Sequence, residues 1–205
     1  MGALAAVFTR DGSNAVPIVA SMLKALRHRG GEIYGASSPR QVVVAGSPER
    51  LMGEVRSSLA LGYGFSHILP GDQPQPLAGN GFTLVFEGRL FPPPKGVFDA
   101  QEVLRRLAEN PVRDAQSLIM RVDGSYVFSL ALPGRLMVGR DPLGTRPLYY
   151  GWNGRFFAFA SERKALWMVG IRNVKSFPPG SLALVDGREA AIQPIRVLRA
   201  DWPLS

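Results

Sequence analysis

At 205 residues, with 46% hydrophobic and 20% charged residues, the chain has an ordinary globular composition and the length of one substantial domain. It has no cysteine and two histidines, His28 and His67, which excludes disulfides, thiolate metal sites and cysteine nucleophiles and leaves too little imidazole for a metal cage, so neither metal nor cofactor is expected. The formal charge of +8 comes mostly from arginines scattered singly along the chain; it permits polyanion binding, but no tract, stripe or motif calls for a nucleic-acid partner.

The start, MGALAAVFTRDG, lacks both a basic leader and a long apolar segment, and no apolar run is long enough to span a bilayer, so a soluble cytoplasmic protein is expected. Residues 3–8 read as a buried strand ending at the turn Arg10-Asp11-Gly12-Ser13-Asn14. Asn14 as N-cap and Pro17 in the first turn open a helix, with Ile18, Met22, Leu23 and Leu26 at helical spacing up to Gly30-Gly31. Strands are expected at 32–37 and 41–45, a short helix at 48–55, and a strand at 59–65.

A proline- and glycine-rich loop over 66–80 precedes a strand at 82–86, which meets Glu87-Gly88, and the run Pro92-Pro93-Pro94 bars regular structure beyond. Helices follow at 99–109, with Val103, Leu104 and Leu107 on one face, and at 114–122, ending at Asp123-Gly124. Strands at 126–132, 135–139, 148–152 and 155–160, a helix at 162–168, and strands at 182–186 and 190–193 complete the chain. Many strands with helices in pairs imply an α+β sandwich rather than βαβ alternation.

The segment GRDPLGTRPLYYG, Gly139 to Gly151, is more particular than a generic strand and turn. It resembles a signature of class II glutamine amidotransferase domains, most closely the glutaminase domain of asparagine synthetase B. Further segments match in the same order: Met22 to Ala36, Gln75-Pro76-Leu77, Asp123 to Phe128, Ala160 to Leu166, Phe177-Pro178-Pro179-Gly180, and Asp201-Trp202. The resemblance spans nearly the whole chain as a single domain, 1–205, without the synthetase domain. It implies an N-terminal-nucleophile (Ntn) hydrolase fold: two antiparallel sheets stacked face to face between helices, in four αββα layers.

In active members of that family an N-terminal cysteine is the nucleophile and its own α-amine the base. The matching position here is Gly2, and no cysteine exists elsewhere. Thr9 and Ser13 are too far along the chain to stand in, and Ala6 breaks the myristoylation pattern that Gly2 suggests. The resemblance places the substrate-carboxylate arginine at Gly64 and the oxyanion-hole asparagine at Glu87, followed by Gly88. It sets Arg89 where a carboxylate binds the substrate ammonium, and a second such carboxylate at Ala100, or at Asp99 with a one-residue shift. An anionic Glu87 repels an oxyanion, and Arg89 repels an ammonium.

Arg140, Asp141, Glu162 and Lys164 are read as loop-ordering charges, and His28 and His67 as histidines outside any catalytic role. The expectation is a degenerate amidotransferase-like pseudoenzyme: not a glutaminase, but an interaction or regulatory subunit that docks on a synthetase-type partner or on a second copy of itself. The alternatives are a pocket converted to bind or hydrolyse another small anionic metabolite, and a basic polyanion-binding protein.

Overall fold

The first strand is apolar at every position because both of its faces are covered. In the computed structural model, which describes residues 2–67, 73–187 and 189–198, strand β1 (Ala3–Thr9) sends Ala3, Ala5 and Val7 to one side and Leu4, Ala6 and Phe8 to the other. The first set packs under helix α1 (Val16–Ala25), and the second enters the space between two sheets. Asn14 does not cap α1 as an N-cap; its Oδ1 accepts from the amides of Val16 and Ser57, tying the helix start to the strand that follows.

Strands β2 (Ile33–Ser37), β3 (Val42–Ala45) and β4 (Leu59–Phe65) lie on one flank of β1 in the order β1-β4-β2-β3, all antiparallel. Between β3 and β4 the expected helix is reduced to a single 3-10 turn, Pro48–Leu51. Gly53, at φ +101°, turns the chain out of helical geometry just beyond it. The second sheet begins with β5 (Leu77–Ala78), a short strand within the expected loop, and β6 (Thr83–Phe91). Residues 68–72 of that loop, and Asp201-Trp202, fall outside the described residues.

Helices α2 (Asp99–Arg106) and α3 (Pro111–Arg121) follow; α3 starts earlier than expected because Asn110 accepts from the Arg113 amide as its cap. Strands β7 (Asp123–Leu132) and β8 (Arg135–Arg140) extend the second sheet. Strands β9 (Tyr149–Trp152) and β10 (Phe156–Ala160) return to the first, and α4 (Arg163–Met168) packs beside α1. The two-residue β11 (Lys175–Ser176) edges the first sheet, and β12 (Ser181–Val185) and β13 (Ala190–Pro194) edge the second.

The sheet orders are β11-β9-β10-β1-β4-β2-β3 and β13-β12-β8-β7-β6-β5. Three apolar cores fill the gaps: one between α1, α4 and the first sheet, one between the sheets, and one between the second sheet and α2, α3. This is the expected four-layer αββα sandwich of antiparallel sheets. Among the described residues no helix is long and apolar enough to cross a membrane.

Strand β6 does not stop at Phe86. It pairs with β7 from Thr83 opposite Ala131 to Phe91 opposite Asp123, so Glu87, Gly88 and Arg89 are strand residues rather than the start of a turn. Gly88 is tolerated there for a packing reason, since a Cβ would lie 2.3 Å from the Ser125 carbonyl oxygen and 2.5 Å from the Tyr126 Cβ. The signature turn after β8 is held by Asp141, which is fully buried. Its Oδ2 accepts from the Tyr126 amide, and its Oδ1 from the amides of Leu143 and Gly144. Arg140 donates to the carbonyls of Phe177 and Gly144, lacing the same turn to the late Pro178-Pro179 segment.

Arg140 and Asp141 therefore order loops, as expected of them, whereas Glu162 and Lys164 belong to a separate network. Replacing Asp141 with Ala removes the side-chain acceptor of the Tyr126 and Leu143 amides, while the Gly144 amide keeps its bond to the Asp141 carbonyl, and should lower the unfolding free energy by about 3 kcal/mol. Urea denaturation with an unchanged m-value checks this; Asp141→Asn, which keeps an acceptor oxygen, should cost less.

Candidate functional site

Side-chain alternation decides which residues reach the space between the sheets. On β4, Leu59, Leu61, Tyr63 and Phe65 face the second sheet, and on β6 Val85 does the same. Glu87 and Arg89 share the parity of Val85. At this end the apolar core gives way to an open cavity of about 260 Å³. Its walls include Gly2, Tyr63 and Phe65 from the first sheet, Glu87, Gly88 and Arg89 from β6, Asp99 and Ala100 from the start of α2, and Arg146 from the signature turn.

Gly64 is the exception among the expected site residues. It lies on the opposite face of β4, where a Cβ would lie 2.7 Å from the Gly30 carbonyl oxygen, 3.2 Å from the Ala3 Cβ and 3.6 Å from the Tyr34 ring. The side chain that this strand end presents to the cavity is Phe65, one residue on. A one-residue slip on a strand always exchanges faces, which is why the assignment to Gly64 fails. The wall at that point is apolar in either case.

Gly2 lies on the cavity wall, and its lack of a side chain is matched by a neighbour. A Cβ built on Gly2 would fall 1.8 Å from the Tyr63 hydroxyl oxygen and 2.2 Å from the Tyr63 Cζ. The Tyr63 phenol thus fills the volume that any side chain at position 2 needs. Nothing in the linear pattern singles out Tyr63; the signal exists only in the pairing of β1 with β4, in which Leu4 is opposite Tyr63.

Glu87 is buried, and its charge is not directed freely at the cavity. Arg29 Nη2 donates to Glu87 Oε1 at 2.9 Å, the Ser161 hydroxyl donates to Oε2 at 3.1 Å, and Arg146 Nη1 stands 3.9 Å away. The expected repulsion by a bare carboxylate is therefore replaced by a compensated ion pair. Arg29 also donates from Nε to the Gly2 carbonyl at 3.0 Å and from Nη1 to Glu162 at 3.3 Å.

Arg89 is likewise engaged. Its Nη1 is 3.2 Å from Asp99 Oδ2, while Asp99 Oδ1 accepts from the Leu90 amide at 2.8 Å. Of the two candidate carboxylate positions, Asp99 is the one with a charge on the cavity wall, and Ala100 adds apolar surface. The adjacent Gln75 does not line the cavity with a free amide: it exchanges two hydrogen bonds with the backbone of Phe86, at 2.9 and 2.7 Å, acting as a strand partner.

A second, more exposed cluster extends this network away from the cavity. His28 Nε2 lies 2.8 Å from Glu162 Oε1, and Lys164 Nζ lies 3.1 Å from His28 Nδ1 and 3.5 Å from Glu162 Oε2. His67 pairs instead with Glu32 and sits edge-on to Phe65. Among the described residues no group of three or more histidine, cysteine or acidic side chains is placed to hold a metal ion.

Burial pushes the Glu162 carboxyl up, but contacts with His28, Lys164 and Arg29 outweigh it and hold the group below its usual range. A depressed folded-state value adds stability that is complete above the unfolded carboxylate value of about 4.3 and is lost as pH falls through the lower folded value. Urea unfolding across that acid range should show a shallower loss of stability in Glu162→Gln than in the parent protein; identical slopes would contradict the assignment.

The fold has counterparts among known proteins. A family profile described as a glutamine amidotransferase domain matches residues 94–168. A putative glutamine-hydrolysing asparagine synthetase of Methanocaldococcus jannaschii is 27% identical over 187 residues, covering 83% of this chain and 34% of that protein. An amidophosphoribosyltransferase of Mycobacterium tuberculosis is 36% identical over 72 residues, covering 35% of this chain and 14% of that protein.

Among solved structures, the Bacillus subtilis glutamine phosphoribosylpyrophosphate amidotransferase superposes with a TM-score of 0.78 at 20% identity, covering 95% of this chain and 49% of that one. A class-II glutamine aminotransferase domain protein from Silicibacter pomeroyi gives 0.56 at 13% identity over 94% of this chain and 99% of that one. The chain thus spans about a third or less of these curated relatives and half of the phosphoribosylpyrophosphate enzyme. In sequence signature and in αββα architecture, the chain is similar to the class II glutamine amidotransferase domains.

Proposed function

We propose that this domain does not hydrolyse glutamine and acts as an interaction or regulatory module built on the amidotransferase scaffold. The observation that carries the reading is the Tyr63 phenol in the space beside Gly2, in a chain without cysteine. Acyl transfer needs a nucleophile at the cavity wall, and here that volume belongs to a neighbouring ring. The charges of the wall support the same reading, since among the described residues Arg89 pairs with Asp99, so that carboxylate is not free for a substrate ammonium.

The module's partner is a synthetase-type protein or a second copy of the chain. Exposed Trp152 and Trp167, about half accessible, and Met168 beside the latter offer the aromatic and sulfur-bearing surface that such contacts favour. Sedimentation velocity of the purified chain, alone and mixed with a synthetase-domain protein, should show an association that Trp167→Glu weakens.

A second reading is favoured by one observation: the cavity stays open and keeps an arginine on its wall although its glutamine chemistry is altered. On that reading the site binds a different small anion.

Ammonia release from glutamine should stay at background for the parent protein, for Gly2→Cys with the preceding methionine removed, and for Gly2→Cys combined with Tyr63→Ala. The single variant should also lose stability, because its new Cβ meets the Tyr63 ring. Turnover of glutamine by the parent protein would overturn the proposal, and turnover by the double variant would show that the rest of the wall is still competent.

A further inference from the structure

Resting on the small-anion reading, we infer that the cavity is a receptor for a small monocarboxylate with an uncharged, partly apolar body, and that Arg146 is the group that receives it. The cations on the wall, Arg89 and Arg146, and Arg29 behind Glu87 differ in how far they are already committed. Arg29 places three nitrogens on three acceptors, at 2.9 to 3.3 Å. Arg89 is paired with Asp99, which is itself anchored by the Leu90 amide. Arg146 instead stands 3.9 Å from Glu87, a carboxylate already satisfied by Arg29 and Ser161, and its Nε is buried without a hydrogen-bond partner.

Among the described residues the charges around it do not cancel. Arg29, Arg146 and Lys164 face the two carboxylates Glu87 and Glu162, while Arg89 and Asp99 offset each other. Of the three cations, Lys164 is at the solvent end of the network and Arg146 is on the cavity wall. One more negative charge beside Arg146 completes the balance, and a guanidinium receives a carboxylate through two parallel hydrogen bonds. A dianion would set its second charge against Glu87 and Asp99, which disfavours phosphate.

The rest of the ligand follows from the walls. Phe65, Phe98 and Leu77 form apolar surface around the polar end. The Asp99 carboxylate that could hold an ammonium is taken by Arg89, so a zwitterion gains nothing there. The volume, about 260 Å³, is below the roughly 300–1,000 Å³ of drug-sized sites and suits a small metabolite.

The test is calorimetric titration of the purified chain with benzoate, butyrate, L-glutamine and inorganic phosphate, for the parent protein, Arg146→Gln, Arg146→Lys and Arg89→Gln. Circular dichroism confirms that each variant is folded. Benzoate or butyrate should bind and glutamine should not; Arg146→Gln should weaken the carboxylate about tenfold or more, and Arg146→Lys and Arg89→Gln, the latter acting only by baring Asp99, should weaken it by less. Loss of binding in Arg89→Gln with Arg146→Gln unaffected would overturn the assignment of the receptor and leave the small-anion reading standing. Binding of phosphate in place of the carboxylates would overturn the ligand class. Silence with every anion would overturn both the inference and the reading beneath it.

Discussion

The site is organised around one largely buried guanidinium. Arg29 follows α1 in the chain, yet it touches the Gly2 carbonyl at the start of β1, Glu87 in the second sheet and Glu162 at the start of α4. Glu87 is buried between the sheets, and removing its partner would leave an uncompensated charge there, a defect that typically costs about 3–5 kcal/mol. With that pairing in place, Glu87 is drawn toward the first sheet and Ser161, and its charge is spoken for before any ligand arrives. The cavity inherits its shape and its remaining positive character from this arrangement.

Seen this way, the polar substitutions along the wall are a mutually satisfied set. Glu87 is matched by Arg29, and Arg89 by Asp99, so each of these two charged departures from the amidotransferase pattern has a partner close by. The scaffold motifs serve a different purpose: Asp141 and Arg140 fasten a turn, and Gln75 completes a strand with its amide. Strong resemblance in the signature segments is therefore compatible with a cavity of altered chemistry, because the segments that carry the resemblance hold the backbone and the altered positions line the cavity.

Much of the fold was legible because its signals are local. The apolar positions on both faces of β1, the spacing of α1 and the glycine turns between late strands each follow from period and punctuation. The features that escaped depend on pairing across the fold. The extension of β6 through Arg89 comes from its ladder with β7, and the two-residue β11 exists only against β9. At the site, Glu87, Gly88, Arg89 and Asp99 were placed on the cavity from the resemblance, while Gly64 was lost to strand parity. Tyr63 had no linear signal, and Arg146, though inside the Gly139–Gly151 signature, had none for this role: one matters because a ring sits beside a glycine, the other because its neighbours are already engaged.

On the proposed function, the site has turned away from glutamine as a ligand, over and above lacking a thiol to attack it. Titration of L-glutamine into the purified chain, followed by backbone amide chemical shifts, tests this directly through Gly2, Phe65, Gly88 and Ala100. The account predicts no saturable perturbation of these amides at millimolar glutamine; a saturable shift confined to them would contradict it.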